Sequence, residues 1–312
     1  MMKTKGLNAM TGNFRVVLLF AGVVLIWSTT WYGIKLQTNG TPPAISVGLR
    51  FALASLLLFS WLLVTRQHRI EWKALRLVLL QGLAFFGITY VLEYTAMQYL
   101  TSGLAALLFS TTILFNLLNE ALWLRRKPAI ATLLAAALGM LGLTLIFGRE
   151  WHAQVNFGAL VTGSALMFTA AFAASLGNVL GSRLLSSGTS VVTLNTYSMM
   201  AGAVFSLLWG SAIDGWSAFD PSPTWLGATI YLAVIGSVMA FGLYFLLLRD
   251  VGPSRAAYAT VVVPAFALLI STFLEDYSWT PANGAGLLLV IIGNALILRA
   301  RQKSISAATR TV

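Results

Sequence analysis

The chain has 312 residues, 58% of them apolar and only 9% charged, with a mean hydropathy of +0.82. A water-soluble domain carries about a quarter charged residues, so most of this surface is expected to meet lipid. The net charge of +11 does not mark a nucleic-acid binder, because the basic residues sit in short clusters between apolar runs, and no nucleic-acid partner is predicted. Cysteine is absent and the two histidines, His68 and His152, fall in predicted loops. Disulfides, thiolate sites and a zinc or haem centre are therefore not expected, and neither a metal nor any other cofactor is predicted.

Apolar runs of roughly 20 residues, the length that crosses a hydrocarbon core of about 30 Å, occur ten times. They cover residues 16–34, 44–64, 77–98, 102–124, 129–148, 157–180, 189–211, 224–248, 254–274 and 284–300. The first follows a basic segment, Met1–Arg15, and resembles a secretory signal. It ends in Trp27-Ser28-Thr29-Thr30-Trp31 without a small-residue cleavage site, so it is read as a retained span. Turn chemistry marks the breaks: Thr41-Pro42-Pro43, Lys127-Pro128, Ser186-Ser187-Gly188, Asp220-Pro221-Ser222-Pro223, Gly252-Pro253 and Thr280-Pro281. The expected fold is all-α and polytopic.

Orientation follows from the cations. With the N-terminus inside, only Lys35, Arg50 and Arg149 of the 20 Lys and Arg fall on the outer side, whereas Glu150, Asp214, Asp220, Glu275 and Asp276 all do. Short loops rich in Lys and Arg stay in the cytoplasm. The prediction is a multi-pass protein of the cytoplasmic membrane with both termini cytoplasmic.

The two halves, 1–150 and 151–312, resemble each other weakly. Ala105, Ala106, Ile113 and Gly142 align with Ala256, Ala257, Pro264 and Gly293, each pair 151 residues apart, and Trp27–Trp31 parallels Phe168–Phe172. Five spans per half force the second copy to enter the membrane from the opposite side. Such inverted repeats suit alternating access to a site at mid-depth; the plainer reading is a duplication that builds a stable bundle.

The stretch Ile26-Trp27-Ser28-Thr29-Thr30-Trp31, Pro42-Pro43 leading to Arg50, Leu100-Thr101-Ser102-Gly103-Leu104-Ala105-Ala106, and Val251-Gly252-Pro253-Ser254 before Pro264 resemble the drug/metabolite transporter superfamily, specifically its ten-helix EamA-type exporters. The resemblance spans nearly the whole chain. It departs in span 4, where Ile113 replaces a frequent proline, and in the Arg125-Arg126-Lys127 turn that follows. It implies proton-linked or facilitated export of amino acids or other small amphiphilic metabolites. It also implies a cavity between the halves, lined by spans 1, 3, 4, 6, 8 and 9.

Polar residues within the spans are the candidate site. A charge at mid-membrane costs about 2.5–3.5 kcal/mol on insertion scales. Glu93 in span 3 either lines the solute path, holding an amine or a proton, or forms a structural ion pair with Arg50 of span 2 at matching depth. Trp27, with Thr30 nearby, offers an aromatic wall with hydroxyls, or else an interfacial belt. Tyr90 and Tyr94 flank Glu93 on one helix face. Thr112 and Asn116 share a face of span 4 and serve either the solute or helix–helix hydrogen bonding. Phe168, Tyr244, Tyr258 and Phe241 are candidates to complete the lining, and Pro264 is a candidate gate or a static kink. Glu120 reads as an interfacial carboxylate. Ala173, Gly177 and Gly181, like Ala135, Gly139 and Gly142, form small-residue faces for close helix contact.

No catalytic residues are predicted. A phosphate-loop motif, a zinc-protease motif and paired acids for magnesium are all missing from the sequence. The expected partners are a small-molecule solute and membrane lipid, with a proton as candidate coupling ion. Three rivals stay open: a membrane-embedded enzyme, which would need acid, base or metal ligands clustered at one depth; a non-transporting accessory subunit; and, within the resembled superfamily, an importer or sugar-phosphate exchanger, which would want several basic side chains at the midplane.

Overall fold

The structure, a computed structural model, describes residues 2–38, 40–67, 70–124, 157–256 and 258–293, with isolated positions at 130, 134, 137–139, 141, 142, 145 and 296. Most of span 5, the histidines, the Arg125-Arg126-Lys127 turn, Ala135 and the basic C-terminus lie outside the described residues, as do the side chains of Glu120 and Tyr258.

The described elements are all helical. They are α1 (Met2–Thr38), α2 (Pro43–Val64), α3 (Trp72–Ala96), α4 (Ser102–Phe109), α5 (Thr112–Leu124), α6 (Phe157–Ser186), α7 (Val191–Ile213), α8 (223–256), α9 (Tyr258–Leu274) and α10 (Pro281–Gly293). Six of them, α1, α2, α3, α6, α7 and α8, contain stretches long and apolar enough to cross a bilayer. α4 and α5 together make span 4. The surface is inverted relative to a soluble protein: Leu25, Leu56, Trp61, Leu208 and Phe273 are exposed, while Gln37, Arg50, Gln81, Glu93 and Asn195 are buried. Exposed apolar area on this scale is stable against lipid, not against water.

Local chemistry sets the helix ends. α2 begins at Pro43, where a missing N–H costs nothing. At α8 the Ser222 hydroxyl accepts from the Trp225 amide at 3.2 Å. α6 stops at Ser186 because Gly188 adopts a φ of 96°, letting the Thr189 amide return to the Leu184 carbonyl. One predicted break moves. The helix continues through Gly252-Pro253 to Ala256.

Contacts between helix ends establish how the halves are threaded. Arg15 at the start of α1 pairs with Asp250 of α8 at 3.1 Å. The start of α6 instead packs at the opposite end, where Gly163 abuts Tyr99 and Leu100. The first helix of each half therefore enters from a different end, as an inverted repeat requires. α1 packs on α8 and α9, and α6 packs correspondingly on α3 and on α4 and α5. α2 and α7 form the central contact.

Two π-turns interrupt the long helices, at Leu83–Ile88 in α3 and at Val234–Met239 in α8. These segments are related by the same 151-residue offset. In each, a hydroxyl takes up a carbonyl five residues back: Thr89 Oγ1 donates to Ala84 O and Ser237 Oγ to Leu232 O, both at 2.8 Å. The hydroxyls satisfy backbone groups that lipid cannot.

Span 4 is also broken, between Phe109 and Thr112. Ser110, Thr111 and Thr112 donate in succession to the carbonyls of Leu107, Leu108 and Phe109 at 2.6–2.7 Å. Three consecutive back-bonding hydroxyls open the helix where proline is absent. The helix assignment of α9, by contrast, runs unbroken through Pro264.

α3 meets α7 through glycine. Gly82 lies against the Ser198 backbone and Gly202 against that of Phe86 and Gly87. A Gly82→Ala methyl would collide with the Ser198 carbonyl, which cannot rotate away. The substitution is expected to destabilise the protein by about 1–3 kcal/mol, read as a lower melting temperature in detergent; an unchanged melt would refute this contact.

Candidate functional site

A cavity of about 50 Å³ lies between the halves. Trp27, Thr30, Trp31 and Ile34 of α1, Phe85, Tyr90 and Glu93 of α3, and Ala106, Phe109 and Ser110 at span 4 form one side; Phe241 of α8 and Val263 of α9 close it. This volume suits a few water molecules. A metabolite needs a pocket several times larger, so the walls must part to admit one.

Glu93 is only 3% exposed and makes no hydrogen bond or ion pair to a described residue. Its carboxylate borders the cavity. The Trp27 indole Nε1 is buried there without a partner as well. An acid and an indole that both line this small hollow thus lack hydrogen bonds, which is costly in a low-dielectric interior.

The wall behind Glu93 is aromatic. Phe241 packs edge to face against both Phe86 and Tyr90, and Trp27 lies 5.5 Å from Phe241 and 4.8 Å from Tyr244 between ring centroids. The 151-residue offset turns Tyr90, Glu93 and Tyr94 into Phe241, Tyr244 and Phe245. The site is therefore built from equivalent faces of α3 and α8, with the acid present in one copy only.

Arg50 and Glu93 do not make the expected direct ion pair, although the two charges still attract one another through space. Arg50 is fully buried, donating from Nε to Ser237 Oγ at 3.0 Å, from Nη1 to Tyr94 Oη at 3.0 Å and from Nη2 to the Gly236 carbonyl at 3.3 Å. Its guanidinium carbon lies 5.0 Å from the ring centroids of both Phe51 and Tyr90. The edge of the cation is spent on the π-turn of α8 and on Tyr94, and its faces on aromatics. Glu93 is left facing the hollow. Tyr94 in turn donates to Gln37 Oε1 at 2.7 Å, tying α1 into the same network.

The remaining candidates divide. Trp27, Thr30, Tyr90, Glu93 and Phe241 line the cavity. Tyr94 belongs to the Arg50 network, and Tyr244 backs Trp27 with its hydroxyl 3.5 Å from Asn178 Oδ1. Thr112 is occupied with its own helix, Asn116 is half-buried away from the cavity lining, and Phe168 packs against the core. Pro264 adjoins the lining residue Val263. Trp31, Ile34, Phe85, Phe109 and Ser110 line the cavity without having been expected there, and Gln37 and Ser237 were missed as partners of the network.

At the end predicted to face outward, a second cluster joins the halves. The Glu275 carboxylate after α9 accepts from the Ser102 amide at the start of α4, from the Ser102 hydroxyl, and from Ser271 Oγ at 2.7 Å. A carboxylate at a helix N-terminus is stabilised by the helix dipole and by charge-assisted bonds. Lys35 Nζ donates to the Met97 and Leu100 carbonyls at 2.6 and 3.1 Å nearby.

This is a polytopic helical membrane protein with a buried, partly polar cavity between two inverted halves. The sequence matches the EamA-like transporter family twice, over residues 14–148 and 161–299, and the chain belongs to that family. It is 26% identical over 292 residues to the uncharacterized transporter YoaV of Bacillus subtilis (strain 168), covering 91% of this chain and 94% of the relative. It is 28% identical over 291 residues to the uncharacterized inner membrane transporter YedA of Escherichia coli (strain K12), covering 89% of each. A solved crystal structure superposes with a TM-score of 0.68 at 18% identity, covering 92% of this chain and 98% of that one, a similarity of fold.

Proposed function

We propose that this protein is a secondary transporter of the cytoplasmic membrane that exports a small amphiphilic metabolite, such as an amino acid, by alternating access. The observation that carries the reading is the buried Glu93, without a hydrogen bond or direct ion pair to a described residue, lining a hollow between inverted halves. A solute amine, or a proton, is the natural partner for an acid in that position. The aromatic wall of Trp27, Tyr90 and Phe241 suits the apolar part of the same solute. Residues 1–150 and 151–312 act as the two repeats, with both termini cytoplasmic. The transporter names of YoaV and YedA support this class of function without naming a solute. The enzyme rival draws no support from the site, where one acid stands among aromatics.

In this reading, Glu275 and Ser102 latch spans 4 and 9 at the outer end, and opening there is the step that releases solute. The chain has no cysteine, so a Thr30→Cys reporter labels without background. Adding Glu275→Ala is expected to speed labelling of that cysteine by an impermeant maleimide from the outer side several-fold. Unchanged labelling would defeat the latch. The function itself is tested by a metabolite-toxicity screen, followed by counterflow in proteoliposomes: cells expressing the protein should survive an excess of at least one amine-bearing metabolite, and purified protein should exchange it. No exchange of any compound that gives protection would overturn the reading.

A further inference from the structure

At the opposite end of the molecule a hollow of about 720 Å³ opens between the loop after α2, the start of α3, and the turn joining α6 to α7. Arg66, Lys73 and Arg183 converge on it from both halves of the chain, with a single acid, Glu71, in its wall. None of these four side chains makes an ion pair or hydrogen bond to a described residue. Arg66 is held at the rim by a left-handed backbone, with a φ of 56° and its neighbour's amide, Gln67 N, returning to Leu62 O at 2.9 Å. That position at a helix C-terminus ordinarily belongs to glycine, yet here it carries a cation.

The surroundings place the hollow at the membrane surface. Trp61 and Trp72 are 60% and 64% exposed on either side of the loop, at the depth where tryptophans anchor helices to the headgroup layer. Arg76 lies over the Trp72 ring at 5.2 Å. Ile70, Leu77 and Leu184 add an apolar strip to a wall that also carries Ser187, Ser190 and Thr193. Cations and hydroxyls beside an apolar strip match a phosphodiester with its glycerol and first acyl carbons, whereas a soluble anion would leave that strip without a partner.

We infer that this hollow binds the headgroup of an anionic phospholipid, bridging the two halves through Arg66 and Lys73 on one side and Arg183 on the other. Basic pockets between spans at the cytoplasmic surface recognise such lipids. The lipid would then act as a clasp between the repeats, on the face opposite the Glu275 latch.

The test uses purified full-length protein in detergent, read by native mass spectrometry and thermal melting. Phosphatidylglycerol or cardiolipin is expected to stay bound and raise the melting temperature, and phosphatidylcholine to do neither. The combined Arg66→Gln, Lys73→Gln and Arg183→Gln variant should weaken anionic-lipid binding at least tenfold. Because removing three cations also disturbs insertion, Ser187→Glu serves as the second variant. It leaves every cation in place, adds a repelling charge at an exposed rim position, and should weaken binding comparably. Equal binding of anionic and zwitterionic lipid, or anionic-lipid binding unaltered in both variants, would overturn the inference. Inorganic phosphate alone reproducing the full stabilisation at millimolar concentration would overturn the lipid assignment in favour of a soluble anion.

Discussion

Glu93→Gln is expected to reduce solute flux about ten- to a hundredfold while leaving the level of folded protein and its melting temperature unchanged or slightly raised. The two halves of that expectation have different causes. Gln has nearly the same shape, so the cavity keeps its walls, but it removes the charge that would hold an amine or a proton. Hydrogen bonds to charged groups contribute about 1.5–3 kcal/mol, which corresponds to the stated loss. Stability is largely spared because Glu93 has no hydrogen bond or direct ion pair to lose: its attraction to Arg50 acts through space, and Arg50 is held by Ser237, Tyr94 and Gly236. Had the two formed a structural ion pair, neutralising the acid would strand a buried cation and cost several kcal/mol. Flux measured with the same solute in matched proteoliposomes separates these cases. A fully active variant removes Glu93 from the mechanism, and an inactive but grossly unstable one restores the ion-pair reading.

Much of this architecture is written in one-dimensional features. Proline and glycine punctuation places the ends of α2, α6 and α8 at Pro43, Ser186 and Pro223, because those residues act through their own backbone. The 151-residue spacing first visible in Ala105 and Ala256 recurs in the π-turns and in the Tyr90 and Phe241 pair, since duplicated helices inherit their irregularities as well as their residues. Position along the helices is equally legible, and it brought Arg50 to the turn of α3 that carries Glu93, where it bonds Tyr94. Azimuth is not. Which way Arg50 turns depends on the Gly236 carbonyl and the Ser237 hydroxyl at a π-turn, and a period of 3.6 residues carries no sign of that turn. The same blindness affected span 4, where three hydroxyls in a row, rather than a proline, break the helix. Phe168 illustrates a different failure. Its pairing with Trp27 ignored the 151-residue register, in which Trp27 corresponds to Asn178 and Tyr90 to the cavity aromatic Phe241.

Arg50→Lys is expected to be the most damaging conservative change in the chain, lowering stability by about 2–4 kcal/mol and flux along with it. Lysine keeps the charge, so neither topology nor electrostatic depth changes, and any effect must come from geometry. The guanidinium reaches three acceptors in three directions and presents flat faces to Phe51 and Tyr90. An ammonium on a flexible stem cannot hold Ser237 Oγ, Tyr94 Oη and the Gly236 carbonyl together. Releasing them loosens the π-turn of α8 from α2 and α3, and with it Phe241 on the cavity wall. Tyr94→Phe removes one of those contacts together with the bond to Gln37, so it should cost less, about 1–2 kcal/mol. A graded series in detergent melts, wild type above Tyr94→Phe above Arg50→Lys, is the expected result. An Arg50→Lys protein that melts and transports like wild type would mean the cation serves only as charge, and that the joint between α2, α3 and α8 is held by packing alone.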